Sequence, residues 1–291
     1  MQRTFSRTSI FLLLLPFFFA SSNSQAAQFL NLSTRGFVGP NDHAVIAGFI
    51  LRGAAAKRVV LRGLGPSLTD AGLSSQLLSD PTLELRDQNG VLLFANNDWQ
   101  ETQKSEIEQT GLAPKNDREA AMVTDLVAPG TYTAILRGTG AESGIGLVEI
   151  YDLDPAGGSL LANMSTRGFV QPGDRAMIAG FIVGGGDPLA HIIIRGIGPS
   201  LSTAGIIDNL ADPTLDLQAS GGRELIRNDD WKEGVQRSLI EQSGIPPSDD
   251  RESAIAADLG TGHYTAVLGG KPSGSAGTAL VELYHLNAPS N

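Results

Sequence analysis

Apolar and polar residues alternate in short bursts along most of this chain, and the bursts form two matching series. Thr82-Leu83-Glu84-Leu85-Arg86 alternates with a period of two, which predicts a strand with one buried face. Asp87-Gln88-Asn89-Gly90 then leads into Val91-Leu92-Leu93-Phe94, and Asn-Gly between two such runs predicts a hairpin. Residues 44–51 and 57–62 are apolar, β-branched-rich runs joined by Arg52-Gly53-Ala54, so they also predict a hairpin. Their later equivalents are 176–183 and 190–195, joined by 184–188. Further strands are expected over 131–136, after Pro129-Gly130, and over 146–151. One short polar helix is expected in each series, over 102–110 and 235–243, with Gly111 and Gly244 as helix-ending glycines.

The two series are a duplication. Ser33-Thr34-Arg35-Gly36-Phe37-Val38 returns as Ser165-Thr166-Arg167-Gly168-Phe169-Val170, at an offset of about 132 residues. Arg62-Gly63-Leu64-Gly65-Pro66-Ser67-Leu68 returns as Arg195-Gly196-Ile197-Gly198-Pro199-Ser200-Leu201, and Leu147-Val148-Glu149-Ile150-Tyr151 as Leu280-Val281-Glu282-Leu283-Tyr284. A unit of this length can bury a core of its own. The expected architecture is all-β with one or two short helices per domain, as two tandem antiparallel β-sandwich or jelly-roll-like domains over 28–155 and 160–287. Pro155-Ala156-Gly157-Gly158-Ser159 forms the joint. The expected core is Phe49, Ile50, Val60, Leu61, Leu83, Leu85, Tyr132, Ile135 and Val148. Its second-repeat equivalents are Phe181, Ile182, Ile193, Ile194, Leu215, Leu217, Tyr264, Val267 and Val281.

Residues 1–27 read as a secretory leader. Arg3 and Arg7 precede an apolar run over 10–20, and Ser24-Gln25-Ala26 offers a cleavage site. The exported chain is then expected outside the cytoplasm: secreted, at the cell surface or in the periplasm, with no membrane insertion. Cysteine is absent, which excludes disulfides and thiol chemistry. Removing Arg3 and Arg7 leaves 19 basic against 31 acidic residues, a net charge of −12. That balance argues against nucleic acid as a partner and suits calcium, neutral polysaccharide or plain solubility.

Candidate chemistry centres on Asn96-Asn97-Asp98-Trp99 and its copy Asn228-Asp229-Asp230-Trp231. Clustered side-chain oxygens after a strand suit Ca²⁺, which takes six to eight oxygen ligands. Asp117 and Asp250, from the following acidic stretches, would complete the sets. The competing reading makes the same residues turn and helix caps, with Asp98 ahead of the helix. The Arg-Gly-x-Gly-Pro-Ser-Leu run lacks the glycines and lysine of a nucleotide loop. It reads instead as a turn with Ser67 or Ser200 as cap. Recurrent Arg35, Arg62 and Arg118 are expected to bridge recurrent carboxylates. None of His43, His191, His263 and His285 aligns with another histidine, so no histidine-based site is shared by the two copies.

The motif series, together with Asp-Pro-Thr-Leu and Gly-x-Tyr-Thr-Ala, resembles a repeat of uncharacterised secreted proteins of environmental bacteria. The middle section of each copy also resembles the bacterial pre-peptidase C-terminal type of β-sandwich. That resemblance implies an accessory domain, in a family where some members bind calcium or extracellular matrix. The expectation is a secreted, non-catalytic binding or structural module, stabilised by calcium, whose extracellular partner is a polysaccharide or protein. Two alternatives remain. One is a polysaccharide hydrolase using paired carboxylates. The other is a carbohydrate-binding module, which would need Trp99 and Trp231 exposed.

Overall fold

The computed structural model describes residues 26–40, 43–73, 76–140, 142–185 and 189–287. The expected leader lies outside them, apart from its last two positions, as do three residues of the 184–188 connection. The chain is all-β with a few short helices. The first repeat supplies β1 (Gln28–Val38), β2 (Val45–Gly53), β3 (Lys57–Leu64), β4 (Pro81–Asp87), β5 (Leu92–Asn96), β6 (Ala120–Leu126), β7 (Gly130–Gly138) and β8 (Gly144–Asp152). The second supplies β9 (Ser159–Val170), β10 (Met177–Gly184), β11 (Ala190–Ile197), β12 (Pro213–Ala219), β13 (Arg223–Asn228), β14 (Ser253–Leu259), β15 (Gly262–Gly270) and β16 (Gly277–His285). Helices α1 (Lys104–Gln109) and α2 (Arg237–Gln242) lie inside their predicted spans. Gly111 and Gly244 follow them with φ of 71° and 75°, the left-handed conformation expected of a glycine just past a helix end.

The strands form two long antiparallel ladders. One runs β13-β12-β15-β10-β1-β8-β3-β6, the other β5-β4-β7-β2-β9-β16-β11-β14. Each ladder therefore takes half of its strands from each repeat. Parallel bridges at Phe29↔Leu161 and Phe37↔Phe169 join β1 to β9, making one 16-stranded network.

At that junction the repeats exchange contacts. β1 is paired with its own repeat's β8 on one side and with β10 of the second repeat on the other. β9 reciprocates by pairing with β16 and with β2 of the first repeat. Residues bridged between β1 and β9 are equivalent positions, so the strands lie about a local two-fold axis. The hydroxyls of Thr34 and Thr166, both fully buried, meet 2.8 Å apart beside it. His43 stacks on Phe169, with ring centroids 4.6 Å apart, while its equivalent Arg175 lies 4.6 Å over Phe37. The two aromatic contacts cross between repeats in mirrored fashion.

The expected hairpin between β2 and β3 does not form. The flanks of β2 are taken by β7 and β9, and those of β3 by β6 and β8, so the two strands lie in different ladders. The same holds for β10 and β11. Two apolar runs around a short turn can pair along their edges or face one another across a core, and here burial of both inner faces selects the second. Gly53 makes the corner with φ of +117°, and a Cβ there would lie 2.2 Å from the Gly158 carbonyl oxygen. The expected β4–β5 hairpin does form, with Leu85 opposite Phe94. In its turn Asp87 Oδ1 accepts from the Asn89 and Val91 backbone N–H groups, each at 2.9 Å, which holds its carboxyl below the usual range.

The principal core is continuous through both repeats, from Phe49, Leu61 and Leu83 to Phe181, Leu217 and Leu283. Ile50, Ile135, Ile182 and Val267 were expected inside, but each is only half-buried. Alternation along a strand decides this: with Phe49 and Phe181 pointing inward, their neighbours face out. Val60 and Ile193 are buried, but in separate small clusters with Trp99 and Ile107, or Trp231 and Ile240, under the helices. Buried Lys57 lies beneath the first repeat, its Nζ 2.9 Å from Asp152 Oδ2 and 2.6 Å from the Asp154 carbonyl.

Candidate functional site

The most recurrent motifs are spent on the protein's own backbone. Pro66–Ala71 forms a 3₁₀ turn, and its start is held by Glu119 from β6's approach, a fully buried side chain. Glu119 Oε1 accepts from Gly65 N at 2.9 Å, Ser67 N at 2.9 Å and Ser67 Oγ at 2.7 Å. Glu252 does the same for Gly198 and Ser200. This glycine-rich turn does cradle an anion, and the anion is a side chain of the same repeat. Ser67 and Ser200 were expected as caps, but neither makes a capping bond, because each hydroxyl donates to that carboxylate instead. Gly65 is required by space: a Cβ would sit 2.0 Å from the Leu78 carbonyl oxygen.

Arg62 reaches Glu149 with two nitrogens, and its Nη1 donates to the Leu112 carbonyl at 2.9 Å. Arg195 binds Glu282 and Ile245 in the same way. Burial beside these carboxylates pushes Tyr151 and Tyr284 up to about 12. The expected arginine bridges are therefore present here. Arg35 differs, since it donates to the Asp174 carbonyl of the other repeat at 3.2 Å.

The Asn-x-Asp-Trp segments protect sheet edges. Strands β6 and β14 end their ladders, and an unpaired edge invites foreign strands. Asn96 Oδ1 accepts from Ala121 N at 2.9 Å, while Gln103 bonds both Val123 N at 3.0 Å and Val123 O at 2.7 Å. Asn228 and Gln236 bond Ala254 and Ala256 of β14 likewise. Just before these positions on the same edges, Trp99 N and Trp231 N donate to Glu119 O and Glu252 O, both at 2.9 Å. Asn96 and Asn228 thus stand in for a missing strand. Asp98 does not cap α1, whose N-cap position belongs to Gln103. Trp99 and Trp231 are 6% and 5% exposed, which removes the aromatic platform that a carbohydrate-binding module would need.

The remaining candidates separate. Asn97 donates to Asp98 Oδ2 at 3.3 Å. Asp117 and Asp250 are exposed and pair with Gln100 and Lys232, each at 2.5 Å. Asp229 and Asp230 do converge, together with Asp212: one carboxylate oxygen of each lies within 4.8 Å of the others. Lys271 bonds Asp229. Burial, then the neighbouring Asp229 and Asp230, raises the Asp212 carboxyl above its ordinary range. One oxygen of Asp212 and one of Asp229 are inaccessible to solvent and have no hydrogen-bond partner among the described residues. Beside the cluster opens a cavity of about 620 Å³, lined in part by Thr214, Asp216, Arg227, Asn228, Asp229 and Lys271.

Asp212, Asp216 and Lys271 are absent from the sequence-derived set. The usable signal was that Asp80 and Asp212 recur before Pro-Thr-Leu, although they lie far in sequence from the Asp pair. The equivalent first-repeat positions are Asp80, Asn97, Asp98 and Thr139, and Asp80 also has one buried oxygen without a partner among the described residues. Formal charge there is −2, from two aspartates. In the second repeat three aspartates and Lys271 again give −2. The extra acid at Asp229 is matched by the extra base at Lys271. No protein-family model matches the chain, and no curated protein matches it.

Proposed function

We propose that this chain is an extracellular, non-catalytic binding or structural module whose second repeat holds a calcium ion at Asp212, Asp229 and Asp230. The observation that carries the cation is the convergence of three carboxylates within 4.8 Å, two of which keep a buried oxygen with no hydrogen-bond partner among the described residues. Each such oxygen has lost water without gaining a donor, and a divalent cation supplies what it lacks. The non-catalytic reading rests on the fate of the shared carboxylates. Glu119 and Glu252 are taken up by the backbone donors of the glycine-rich turn, and Glu149 and Glu282 are tied to Arg62 and Arg195.

Thermal unfolding in calcium and in chelator tests the proposal. A site specific to the folded state adds about 2.7 kcal/mol at a hundredfold excess over Kd. The melting temperature is expected to rise with calcium, and Asp212→Asn combined with Asp230→Asn is expected to abolish the rise. An identical melt in calcium and chelator sinks the cation site.

The hydrolase reading keeps one foothold, because Asp216 and Asp229 both line the 620 Å³ cavity. Release of reducing ends from neutral polysaccharide by the unsubstituted protein, lost in Asp216→Asn and Asp229→Asn, would favour it.

A further inference from the structure

The outer face of the second repeat carries a hollow whose lining differs from the equivalent face of the first. Its floor is the sheet of β13, β12 and β15, where Asp216 lies opposite both Arg227 and Val267, and Thr214 lies opposite Gly269. The connections after β9 and β15 form its walls, with Gln171 and Pro172 on one side and Lys271, Ser273 and Ser275 on the other. The cavity of about 620 Å³ falls within the roughly 300–1,000 Å³ of small-ligand sites.

Three differences between the repeats shape this hollow. Gly269 stands where the first repeat has Arg137, so a long side chain is gone from the floor. The fold does not need a glycine there, since a Cβ would meet only Thr214 Oγ1, at 3.4 Å, an ordinary contact. Arg227 and Lys271 stand where the first repeat has Ala95 and Thr139, and both line the cavity.

The lining narrows the ligand. Asp216 and Asp229 against Arg227 and Lys271 leave it with no net charge. An anion brought to Arg227 would meet Asp216 directly across the ladder, and a cation brought to Asp216 would meet Arg227. Among the described residues, the Arg227 guanidinium and the hydroxyls of Thr214, Ser273 and Ser275 have no hydrogen-bond partner. Asp216 Oδ2 accepts from Gln218 at 2.9 Å and keeps further acceptor capacity. Donors and acceptors thus stand side by side, with Val267 and Pro172 as small apolar patches. The floor strands β12 and β15 each have neighbours on both sides, so an extended peptide would find no free backbone groups there.

We propose that this cavity binds a neutral saccharide, whose hydroxyls both donate and accept without carrying charge. No aromatic ring lines it among the described residues, so the sugar is held by hydrogen bonds and not by stacking. The proposal rests on the reading of this chain as an extracellular binding module and names its ligand class. It does not require the calcium ion.

The test is calorimetric titration of the protein in chelator with hexasaccharides of neutral glucan, mannan and xylan, and with oligogalacturonate. At least one neutral probe is expected to bind. Gly269→Arg, which restores the first repeat's side chain, is expected to abolish that binding, and Arg227→Ala to weaken it roughly tenfold. Both variants copy residues that the first repeat carries, and unchanged melting temperatures would show that they fold. Failure of every neutral probe to bind, tighter binding of oligogalacturonate, or binding that survives Gly269→Arg each overturns the proposal. A calcium-dependent melt alongside any of these results would leave the cation site standing. Release of shorter fragments from a bound neutral probe would uphold the ligand class and overturn the non-catalytic reading.

Discussion

At one position beneath the sheets the two repeats solve the same burial problem differently. The first buries an ion pair, Lys57 and Asp152, with both side chains wholly inaccessible. The second places Ala190 and His285 at the equivalent positions. His285 is 2% exposed and packs 5.4 Å from the Phe29 ring of the exchanged strand β1. Among the described residues neither of its ring nitrogens finds a hydrogen-bond partner, and burial pushes the ring down to about 4. A backbone tolerant of both arrangements does not need the ion pair for its geometry. The pair is instead an interdependent unit, costly only when half of it is removed.

The largest expected effect tests that interdependence. Lys57→Ala strands the Asp152 carboxylate and should cost about 3–5 kcal/mol in urea unfolding. Adding Asp152→His, which completes the second repeat's solution, should recover most of the loss. No recovery would mean that the surrounding packing differs between repeats more than the backbone does.

Matched positions should behave alike. Glu119→Ala and Glu252→Ala each leave three backbone donors and a hydroxyl without their carboxylate, and each should cost about 3 kcal/mol. A difference above about 1 kcal/mol between them would show that the repeats bear unequal shares of the fold's stability.

The histidine gives the smallest of these effects, and it depends on pH. A base with a folded pKa near 4 and an unfolded value near 6.5 favours folding while neutral. That stability is complete above pH about 6.5 and is lost as pH falls towards 4, by roughly 2–3 kcal/mol. His285→Gln should remove this component of the pH dependence, as followed by urea midpoints across that window. An unchanged profile would place the acid sensitivity elsewhere.

Much of the local structure was legible because it follows from neighbouring residues. Leu83 and Leu85 alternate with polar partners, Asn89-Gly90 turns the chain, and Gly111 ends a helix. The edge-capping role of Asn96 and Gln103 was not legible, because their partners Ala121 and Val123 lie some twenty residues on in a strand that carries no polar signal of its own. The acidic cluster was half legible. Asp229 and Asp230 are adjacent in sequence, while Asp212 and Lys271 reach them only because the β12 and β15 strands pair side by side, with Pro213 opposite Gly270. The glycine-rich turn was legible as a turn, but the anion in it was not, since Glu119 lies just before β6, far along the chain from Gly65 and Ser67.

By itself the amino-acid sequence determined a duplicated, cysteine-free, all-β chain with short helices, since composition, alternation and turn residues are local properties. Only the tertiary structure decided that β1 and β9 sit between strands of both repeats. A two-residue alternation says which face of a strand is buried, but not which of two near-identical neighbours will pair with its edge. The same limit applies to β2 and β3, whose apolar faces were plain and whose placement in opposite ladders was settled by burial across the core.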